Sequence, residues 1–423
     1  MSDTIHNSPS IKDIADIVGL SPPYSMSNLR GIRFASGNSP TTGAISLSNF
    51  SNQKLVYLWN QGAQLNSGGA LECRMSKSGD TVIVAKNSTH QYQGYAYIYN
   101  RSGNSWSRTT LQASDGFVGD RFGGTVDISD DGTVAIVGSR YGGSGNQSLN
   151  GTVYVFVYSN GSWSEKKKLR YNHSRSQVYM GSDAISITGD GNFIVAGARG
   201  FNVRTLYYFY TTNGWSTYST DSKFYDRNYF GSDVDVDDSG VYSIVRTDIE
   251  GQVQFVRRTG QGSFSIYEAI TSYTSGITAV AMAPNGLVSV MGENYYNNYA
   301  GRVKIWRRSG SSWTSDDTIY PSDGNLAFRY YGAGVSLSKD GNTLVVGAPS
   351  ERDYLGVTDN TAAGTIYIYE YSGSSWTEKQ KIKTSNPYTA DRFGRSCDIS
   401  DDKKTIIAVS AGASYIFDAS YYI

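Results

Sequence analysis

One sequence pattern recurs along almost the whole chain. Its clearest copy occupies residues 332–348 and reads Gly-x-Gly-Val-Ser-Leu-Ser-x-Asp-Gly-Asn-Thr-Leu-Val-Val-Gly-Ala. Self-similarity at roughly 46 to 62 residues, in units without a helical pattern, is typical of a β-propeller. The seven copies centre on turn positions Gly79, Gly132, Gly191, Gly240, Gly286, Gly341 and Lys403.

Each unit reads as four strands. The first alternates apolar with small or polar residues, as at residues 126–129, and an Asp-Gly or Asn-Gly turn such as Asp131-Gly132 follows in several units. The second strand is apolar almost throughout, as at residues 343–347, and the third is rich in aromatic residues, as at 151–158. The fourth is polar and is predicted to open with tryptophan in five units: Trp106, Trp163, Trp215, Trp313 and Trp376.

The seventh unit has no tryptophan-led strand before the chain ends. Upstream of the first unit, residues 54–59 form a strand-like run, Lys-Leu-Val-Tyr-Leu-Trp, without a partner. We therefore expect residues near 54–60 to supply the outer strand of the last blade. The sequence thus predicts an all-β, seven-bladed propeller of four-stranded blades over residues 51–423, with a short N-terminal arm at residues 1–50.

The two cysteines bear on this closure. Cys73 and Cys397 hold the same repeat position in units one and seven, which become neighbours only if the ring closes. Two interpretations stay open. Each cysteine is a small apolar core residue, or the two form a disulfide, which requires Cα atoms nearer than about 7 Å.

Composition narrows the classes of partner. Lys plus Arg and Asp plus Glu each number 37, so nothing indicates binding to nucleic acid or to an anionic membrane. Apolar runs are too short to cross a bilayer, so we expect no membrane insertion. The first twenty residues lack the basic start and apolar stretch of a secretory signal.

The repeat resembles a known family. Phe122-Gly123, Phe230-Gly231 and Phe393-Gly394, with Gly347-Ala348-Pro349, resemble the FG-GAP repeat, the unit of the integrin alpha-subunit propeller and of many bacterial and viral surface proteins. The resemblance covers about residues 54–423 and implies a propeller.

Members of that family often bind calcium in the turn after the first strand, through Asp-x-Asp-x-Asp-Gly-x-x-Asp. Here the pattern is broken, because unit two has Ala135 at the last ligand position and unit seven has Lys403 in place of glycine. We therefore expect no metal and no cofactor, and carboxylates that cap turns and face solvent. The residues concerned are Asp127, Ser129, Asp131, Asp235, Asp237, Ser239, Ser243, Asp398, Ser400 and Asp402.

The first fifty residues differ in kind from the repeats. Ser-Met-Ser-Asn-Leu-Arg-Gly at 25–31 is echoed by Ala-Ile-Ser-Leu-Ser-Asn-Phe at 44–50. This resembles a short module near the N-termini of tailed-phage virion proteins. The resemblance implies a virion location, with residues 1–50 docking onto other virion proteins while the propeller projects. The alternative is an arm that caps the propeller.

Catalytic motifs are scarce. The three histidines, His6, His90 and His173, have no metal-ligand spacing and lie beside no serine nucleophile motif. We therefore predict that the protein is not an enzyme. One alternative stays open, in which two carboxylates from different blades meet at the channel mouth and cleave a glycosidic bond.

The connections between second and third strands vary most, and strand alternation places them on one face with those from the fourth strand to the next blade. This loop face gathers Tyr, Asn, Arg and Ser, which suit contact with a host-surface glycan or protein. The alternative is that the tyrosines only pack between blades. The candidate ligand-binding residues are His90, Tyr92, Tyr141, Tyr295, Tyr296, Asn298, Tyr299, Arg352 and Tyr354.

Together these features predict a phage virion structural protein, a tail fibre or particle appendage, whose propeller mediates host attachment. The alternative is a purely structural or decoration protein with the loop face packed on other particle proteins. A bacterial surface adhesin is a third hypothesis, which the absent signal disfavours.

Overall fold

The computed structural model describes residues 56–86, 93–142, 150–170, 178–198, 200, 205–224, 230–247, 252–260, 263–271, 276–322, 328–350, 363–384 and 392–422. These residues form seven four-stranded sheets, so the predicted seven-bladed propeller is confirmed. The N-terminal arm and four candidate site residues, His90, Tyr92, Arg352 and Tyr354, lie outside the described residues. In the described part of the chain, no helix is long and apolar enough to span a membrane.

The first described strand is β1 (Val56–Leu65). Blades 1 to 3 follow it in chain order. Blade 1 contains β2 (Glu72–Met75), β3 (Thr81–Lys86), β4 (Tyr95–Ser102) and β5 (Ser105–Leu111). Blade 2 contains β6 (Phe122–Ile128), β7 (Val134–Ser139), β8 (Thr152–Ser159) and β9 (Ser162–Leu169). Blade 3 contains β10 (Met180–Ile187), β11 (Phe193–Ala198), β12 (Thr205–Tyr210) and β13 (Ser219–Phe224).

Blades 4 to 6 are built in the same order. Blade 4 contains β14 (Phe230–Val236), β15 (Tyr242–Thr247), β16 (Gln252–Gly260) and β17 (Ser263–Thr271). Blade 5 contains β18 (Ile277–Met282), β19 (Val288–Glu293), β20 (Arg302–Ser309) and β21 (Ser312–Ile319), with a short helical turn at Tyr296–Tyr299 between β19 and β20. Blade 6 contains β22 (Gly334–Leu337), β23 (Thr343–Ala348), β24 (Thr365–Tyr371) and β25 (Trp376–Ile382).

The last blade combines strands from the two ends of the described chain. It contains β26 (Cys397–Ile399), β27 (Thr405–Val409) and β28 (Ser414–Tyr422), and its order is β1-β28-β27-β26. The predicted closure by residues near 54–60 is therefore confirmed. Leu65 at the end of β1 packs in one buried cluster with Val409 and Ile416, so the closing strand contributes to the core.

Faces of adjacent sheets pack against each other to make the core. Ile83 and Ile98 of blade 1 share a buried cluster with Val126 and Val137 of blade 2, and similar clusters join other neighbouring blades. The apolar second strands predicted from sequence are therefore buried on both faces, as in β23 and β11.

Both cysteines are free and buried. Cys73 packs in the cluster between blades 7 and 1, while Cys397 Sγ lies 3.9 Å from the carbonyl oxygen of Val345 in blade 6. The backbone N–H of Cys73 donates to Ser396 Oγ at 3.2 Å, which makes the two repeat positions neighbours as the closed ring requires. The core-residue interpretation therefore holds, and the disulfide does not form in this structure. Burial raises the pKa of the Cys397 thiol to about 12, which keeps it protonated at neutral pH.

One strand-opening tryptophan was placed wrongly from sequence. Trp215 precedes β13 by several residues and lies in a turn with φ of 65°. Its backbone N–H donates to Thr211 Oγ1 at 3.2 Å and its indole Nε1 donates to the carbonyl of Gly191 at 2.8 Å. The turn around Asn213-Gly214 therefore takes Trp215 into the core instead of starting the outer strand.

Candidate functional site

A cavity of about 110 Å³ runs along the axis of the propeller. Residues from the innermost strand of every blade line it, so it is part of the central channel. Three of these residues, Asp127, Asp235 and Asp398, occupy the same repeat position in blades 2, 4 and 7, and we name them the inner carboxylates.

Each inner carboxylate accepts hydrogen bonds from its own blade and the next. Asp127 Oδ2 accepts from the backbone N–H of Ile187 in blade 3 at 2.8 Å. Asp235 accepts in the same way from Met282 of blade 5, and Asp398 from Met75 of blade 1, both at 2.8 Å. These side chains therefore join adjacent blades around the channel, a role that differs from the predicted turn capping and exposure to solvent.

Turn capping does occur, by carboxylates four residues further along the same repeats. Asp131 Oδ1 accepts from Ser129 Oγ at 2.7 Å and from the backbone N–H of Thr133 at 2.9 Å, and Asp402 makes the matching bonds with Ser400 and Lys404. Within the described residues, no group of three or more His, Cys, Asp or Glu side chains is arranged to hold a metal ion.

Arg74 is the cation among the inner carboxylates. Its Nη2 lies 2.8 Å from Glu72 Oε1, and its Nη1 donates to the carbonyl of Cys73 at 2.9 Å. Desolvation raises the pKa of Asp127 to about 7, although Arg74 lowers it, and desolvation raises the pKa of Asp235 to about 6. We therefore expect Asp127 and Asp235 to titrate between about pH 6 and 7.

At one end of the channel, a lysine side chain lies among three carboxylates. Lys339 Nζ lies 2.7 Å from Asp238 Oδ2, 3.4 Å from Asp401 Oδ2 and 3.5 Å from Asp130 Oδ2. A backbone hydrogen bond helps to hold this group of charged residues in place, since the N–H of Asp130 donates to the carbonyl of Gly189 at 2.9 Å. Although desolvation acts in the opposite direction, Asp238 and its neighbours raise the pKa of Lys339, so the ammonium group stays charged here.

The other end of the channel opens on the loop face, which is formed by the connections between second and third strands and between successive blades. A wider cavity of about 430 Å³ lies there. We name it the arginine mouth, because five arginines are among the described residues that line it: Arg74, Arg121, Arg140, Arg246 and Arg395.

Tyr141 is the candidate residue that lies beside the arginine mouth. The guanidinium carbons of Arg121 and Arg140 lie 5.1 and 5.4 Å from the centre of its ring. Tyr179, from the connection between blades 2 and 3, meets the Tyr141 ring edge-on at 5.5 Å. Tyr141 is half-buried, so it supports the mouth while part of its ring stays accessible.

A second group of candidate residues forms an exposed aromatic cluster on blades 5 and 6. Tyr299 stacks on Phe328 with ring centres 5.6 Å apart and planes inclined by 16°. It also lies 5.3 Å from Tyr295 and 5.2 Å from Tyr330. Tyr295, Tyr299 and Phe328 expose 49%, 37% and 49% of their surface, which is high for large apolar side chains. We name Tyr295, Tyr299, Phe328 and Tyr330 the aromatic cluster.

The backbone holds the two halves of this cluster together. The N–H of Phe328 donates to the carbonyl of Asn298 at 3.2 Å, and the N–H of Tyr330 donates to the carbonyl of Tyr299 at 2.9 Å. Asn298 has a φ of 61°, in the left-handed region that asparagine tolerates better than most residues. Asn298 therefore shapes the turn, and its carbonyl positions Phe328.

Tyr296 faces a different set of neighbours. Arg302 Cζ lies 3.7 Å from the centre of its ring, and Tyr320 lies 6.2 Å away. Arg302 in turn pairs with Glu293, which is fully buried and lies 3.1 Å from Lys304 Nζ. This half-buried arrangement makes Tyr296 a support of the turn beside the aromatic cluster.

Of the residues predicted from the sequence, the structure brings Tyr295 and Tyr299 together, and their partners Phe328 and Tyr330 were not predicted. Phe328 and Tyr330 lie in the connection between blades 5 and 6, whose length gave no reason to fold it against the turn at Tyr296–Tyr299. The arginines of the mouth were not predicted from the sequence either, because they come from separate blades. Arg-Phe-Gly in unit two was the available signal for Arg121, which precedes Phe122-Gly123.

The comparisons with known proteins agree with this architecture. Residues 106–156 and 313–369 match the FG-GAP repeat, so the chain contains FG-GAP repeats within a seven-bladed β-propeller. The crystal structure of the β-propeller domain of Cps50 (Swd1) from Myceliophteria thermophila is similar, with a TM-score of 0.58. The match covers 85% of this chain and 99% of that one at 10% identity, so it shows the fold alone. No curated protein matches significantly.

Proposed function

We propose that this protein is a non-enzymatic phage particle appendage whose propeller binds a host-surface glycan through the aromatic cluster. The observation that carries the proposal is the exposure of Tyr295, Tyr299 and Phe328 on one rigid site. A group of large apolar side chains exposed to water is typical of a surface that binds a ligand or another protein.

The geometry favours a sugar as the bound group. Neighbouring rings lie 5.2 to 6.1 Å apart and present both faces and edges. An aromatic face packs well against the C–H face of a pyranose, while the tyrosine hydroxyls bond to its hydroxyl groups. Because the rings pack against one another and two backbone hydrogen bonds fix the connections that carry them, we expect little side-chain entropy to be lost on binding.

The particle location is supported by sequence. Residues 25–31 and 44–50 resemble the N-terminal module of tailed-phage virion proteins. In the proposed arrangement, residues 1–50 bind other virion proteins and the loop face is turned towards the host. A tail fibre and another appendage both fit this arrangement.

Glycan arrays of bacterial surface polysaccharides test the attachment role. We expect the purified full chain to bind a subset of glycans, and Tyr299→Ala or Phe328→Ala to weaken binding by about tenfold or more. The matched control is Tyr158→Ala, a tyrosine 41% exposed near the end of β8, on the face opposite the loops. Binding that Tyr158→Ala weakens as much as Tyr299→Ala does would contradict the proposal.

The structural alternative predicts a different result. If the loop face is packed on other particle proteins, the full chain binds no glycan, and a Tyr299→Cys variant resists maleimide labelling in intact particles while it reacts in the isolated protein. Rapid labelling in intact particles together with glycan binding supports attachment.

A further inference from the structure

The arginine mouth has more positive than negative side chains. Five arginines share its wall with three carboxylates, Glu72, Asp183 and Asp233, among the described lining residues. The cavity of about 430 Å³ is within the range of small-ligand sites. Charge and volume together indicate a site for an anionic group.

Two of the three carboxylates are already held by other bonds. Glu72 lies 2.8 Å from Arg74 Nη2 and also accepts from the backbone N–H of Val126 at 3.1 Å. Asp233 accepts from the backbone N–H groups of Val234 and Val280 at 3.0 and 2.9 Å. These bonds hold both carboxylates against the wall, on the side where Arg74 and Arg246 lie.

The guanidinium of Arg395 has no hydrogen bond or ion pair among the described residues, although Arg395 lines the mouth. Desolvation lowers the pKa of its guanidinium and Arg392 lowers it further, against the opposing effect of Glu72, so the surroundings disfavour this positive charge even though the side chain is exposed. An anion in the mouth would relieve that cost.

Two buried donors among the residues that line the mouth lack partners. The Nε of Arg140 and the Oγ1 of Thr278 are shielded from solvent and have no hydrogen-bond partner among the described residues. Buried polar atoms are almost always bonded, so such atoms indicate a ligand, an ion or a bound water. Both atoms are suited to an oxyanion, since each can donate a hydrogen bond to it.

We propose that the arginine mouth binds the carboxylate of an acidic sugar residue, with Arg140 and Arg395 as the guanidinium donors. The planar fork of arginine matches a carboxylate with two parallel bonds. Ser182, Ser396 and the exposed Asp183 also line the mouth and can bond to the sugar hydroxyls. The choice of a sugar as the source of the carboxylate rests on the proposed function, whereas the anion site itself does not.

Isothermal titration calorimetry of the full chain at constant ionic strength tests the ligand class. The probes are glucuronate, N-acetylneuraminate, their uncharged methyl esters and inorganic sulfate. We expect one acid to bind saturably and its ester to bind at least about tenfold more weakly, a difference of about 1.4 kcal/mol. Equal binding of acid and ester, or no saturation by either acid up to about 10 mM, would overturn the proposal.

Variants locate the site. Arg395→Gln and Arg140→Gln should each weaken binding of the acid by about tenfold, and Arg395→Lys should restore only part of it because lysine lacks the fork. The control Arg108→Gln removes the same charge from the outer strand β5 and should have no effect. Unchanged affinity in correctly folded Arg395→Gln and Arg140→Gln proteins would place the anion elsewhere and refute the assignment.

Two further outcomes separate this proposal from the attachment role. Acid binding that survives Tyr299→Ala supports the mouth even if no glycan binds the aromatic cluster. Sulfate that binds as tightly as the acids, and displaces them, would make the mouth a simple anion site and overturn the sugar assignment. If neutral glycans bind and neither acid binds, the attachment role stands and the proposed acidic-sugar site in the arginine mouth is refuted.

Discussion

At the scale of single residues, position within the repeat decides what a carboxylate does. Asp127 and Asp131 are four residues apart, yet Asp127 bonds to Ile187 of the adjacent blade while Asp131 closes its own turn. Only the second role can be inferred from local spacing. The first depends on which blade lies alongside, and alternation along a strand does not contain that information.

The channel carboxylates predict an unusual dependence of stability on pH. Desolvation raises the pKa of Asp127 and of Asp233 to about 7, against about 3.8 in an unfolded chain. Between these values the folded state binds more protons, so the free energy of unfolding falls as pH rises from about 4 to 7. We expect a higher urea midpoint at about pH 5.5 than at about pH 8.

Asp127→Asn tests the cause of this effect. The amide oxygen can still accept from the N–H of Ile187, but the titrating charge is gone. The loss of stability between the two pH values should therefore shrink by roughly 1–2 kcal/mol. The exposed Asp80→Asn should keep the parent difference. A midpoint that increases towards alkaline pH, or an unchanged slope in Asp127→Asn, would show that these groups do not titrate in that window.

At the scale of strands and turns, close backbone contact explains part of the repeat pattern. Gly347 at the end of β23 packs so closely on blade 7 that a Cβ there would lie 1.8 Å from the carbonyl oxygen of Gly394. Gly292 has the same relation to Gly332 of blade 6, at 1.9 Å. The Gly-Ala and Phe-Gly pairs of the sequence therefore meet across neighbouring blades.

Gly347→Ala should destabilise the propeller. The methyl group would meet backbone, which cannot rotate away, so the blades must separate locally. We expect the free energy of unfolding to fall by about 1–3 kcal/mol or more. Gly260→Ala is the matched control, because a Cβ there meets nothing within 4 Å. Equal denaturation midpoints for the two variants would contradict this explanation of the repeat.

Elements with a repeated local pattern could be predicted from the sequence, whereas contacts between separate connections could not. Strand type and blade number followed from repeated alternation and from turns such as Asp340-Gly341. Trp215 was misplaced because the Thr211 hydroxyl, bonded to the carbonyl of Thr217 at 2.8 Å, folds that turn back before the strand starts. The contact of Phe328 with Tyr299 involves two separate connections, and no local pattern encodes it.

At the scale of the whole molecule, the closing strand should determine stability. Without β1, the last blade would expose the edge of β28 and lose the contacts of Leu65 with Val409 and Ile416. An exposed strand edge is prone to pair with another chain.

Two truncations test this prediction. Deletion of residues 1–65 should lower the thermal midpoint and cause aggregation in size-exclusion chromatography. Deletion of residues 1–50, which leaves β1 in place, should keep the midpoint of the full chain. A soluble, equally stable protein after removal of residues 1–65 would show that the other three strands suffice for the last blade.

The same closure has a consequence for biosynthesis. On the ribosome, β1 emerges before every other described strand, and its partner β28 emerges last. At typical translation rates the intervening residues 66–413 take roughly 17 to 70 s to appear. Throughout that interval β1 has no partner strand, so we expect chaperones that shield unpaired strands to be needed until β28 has emerged.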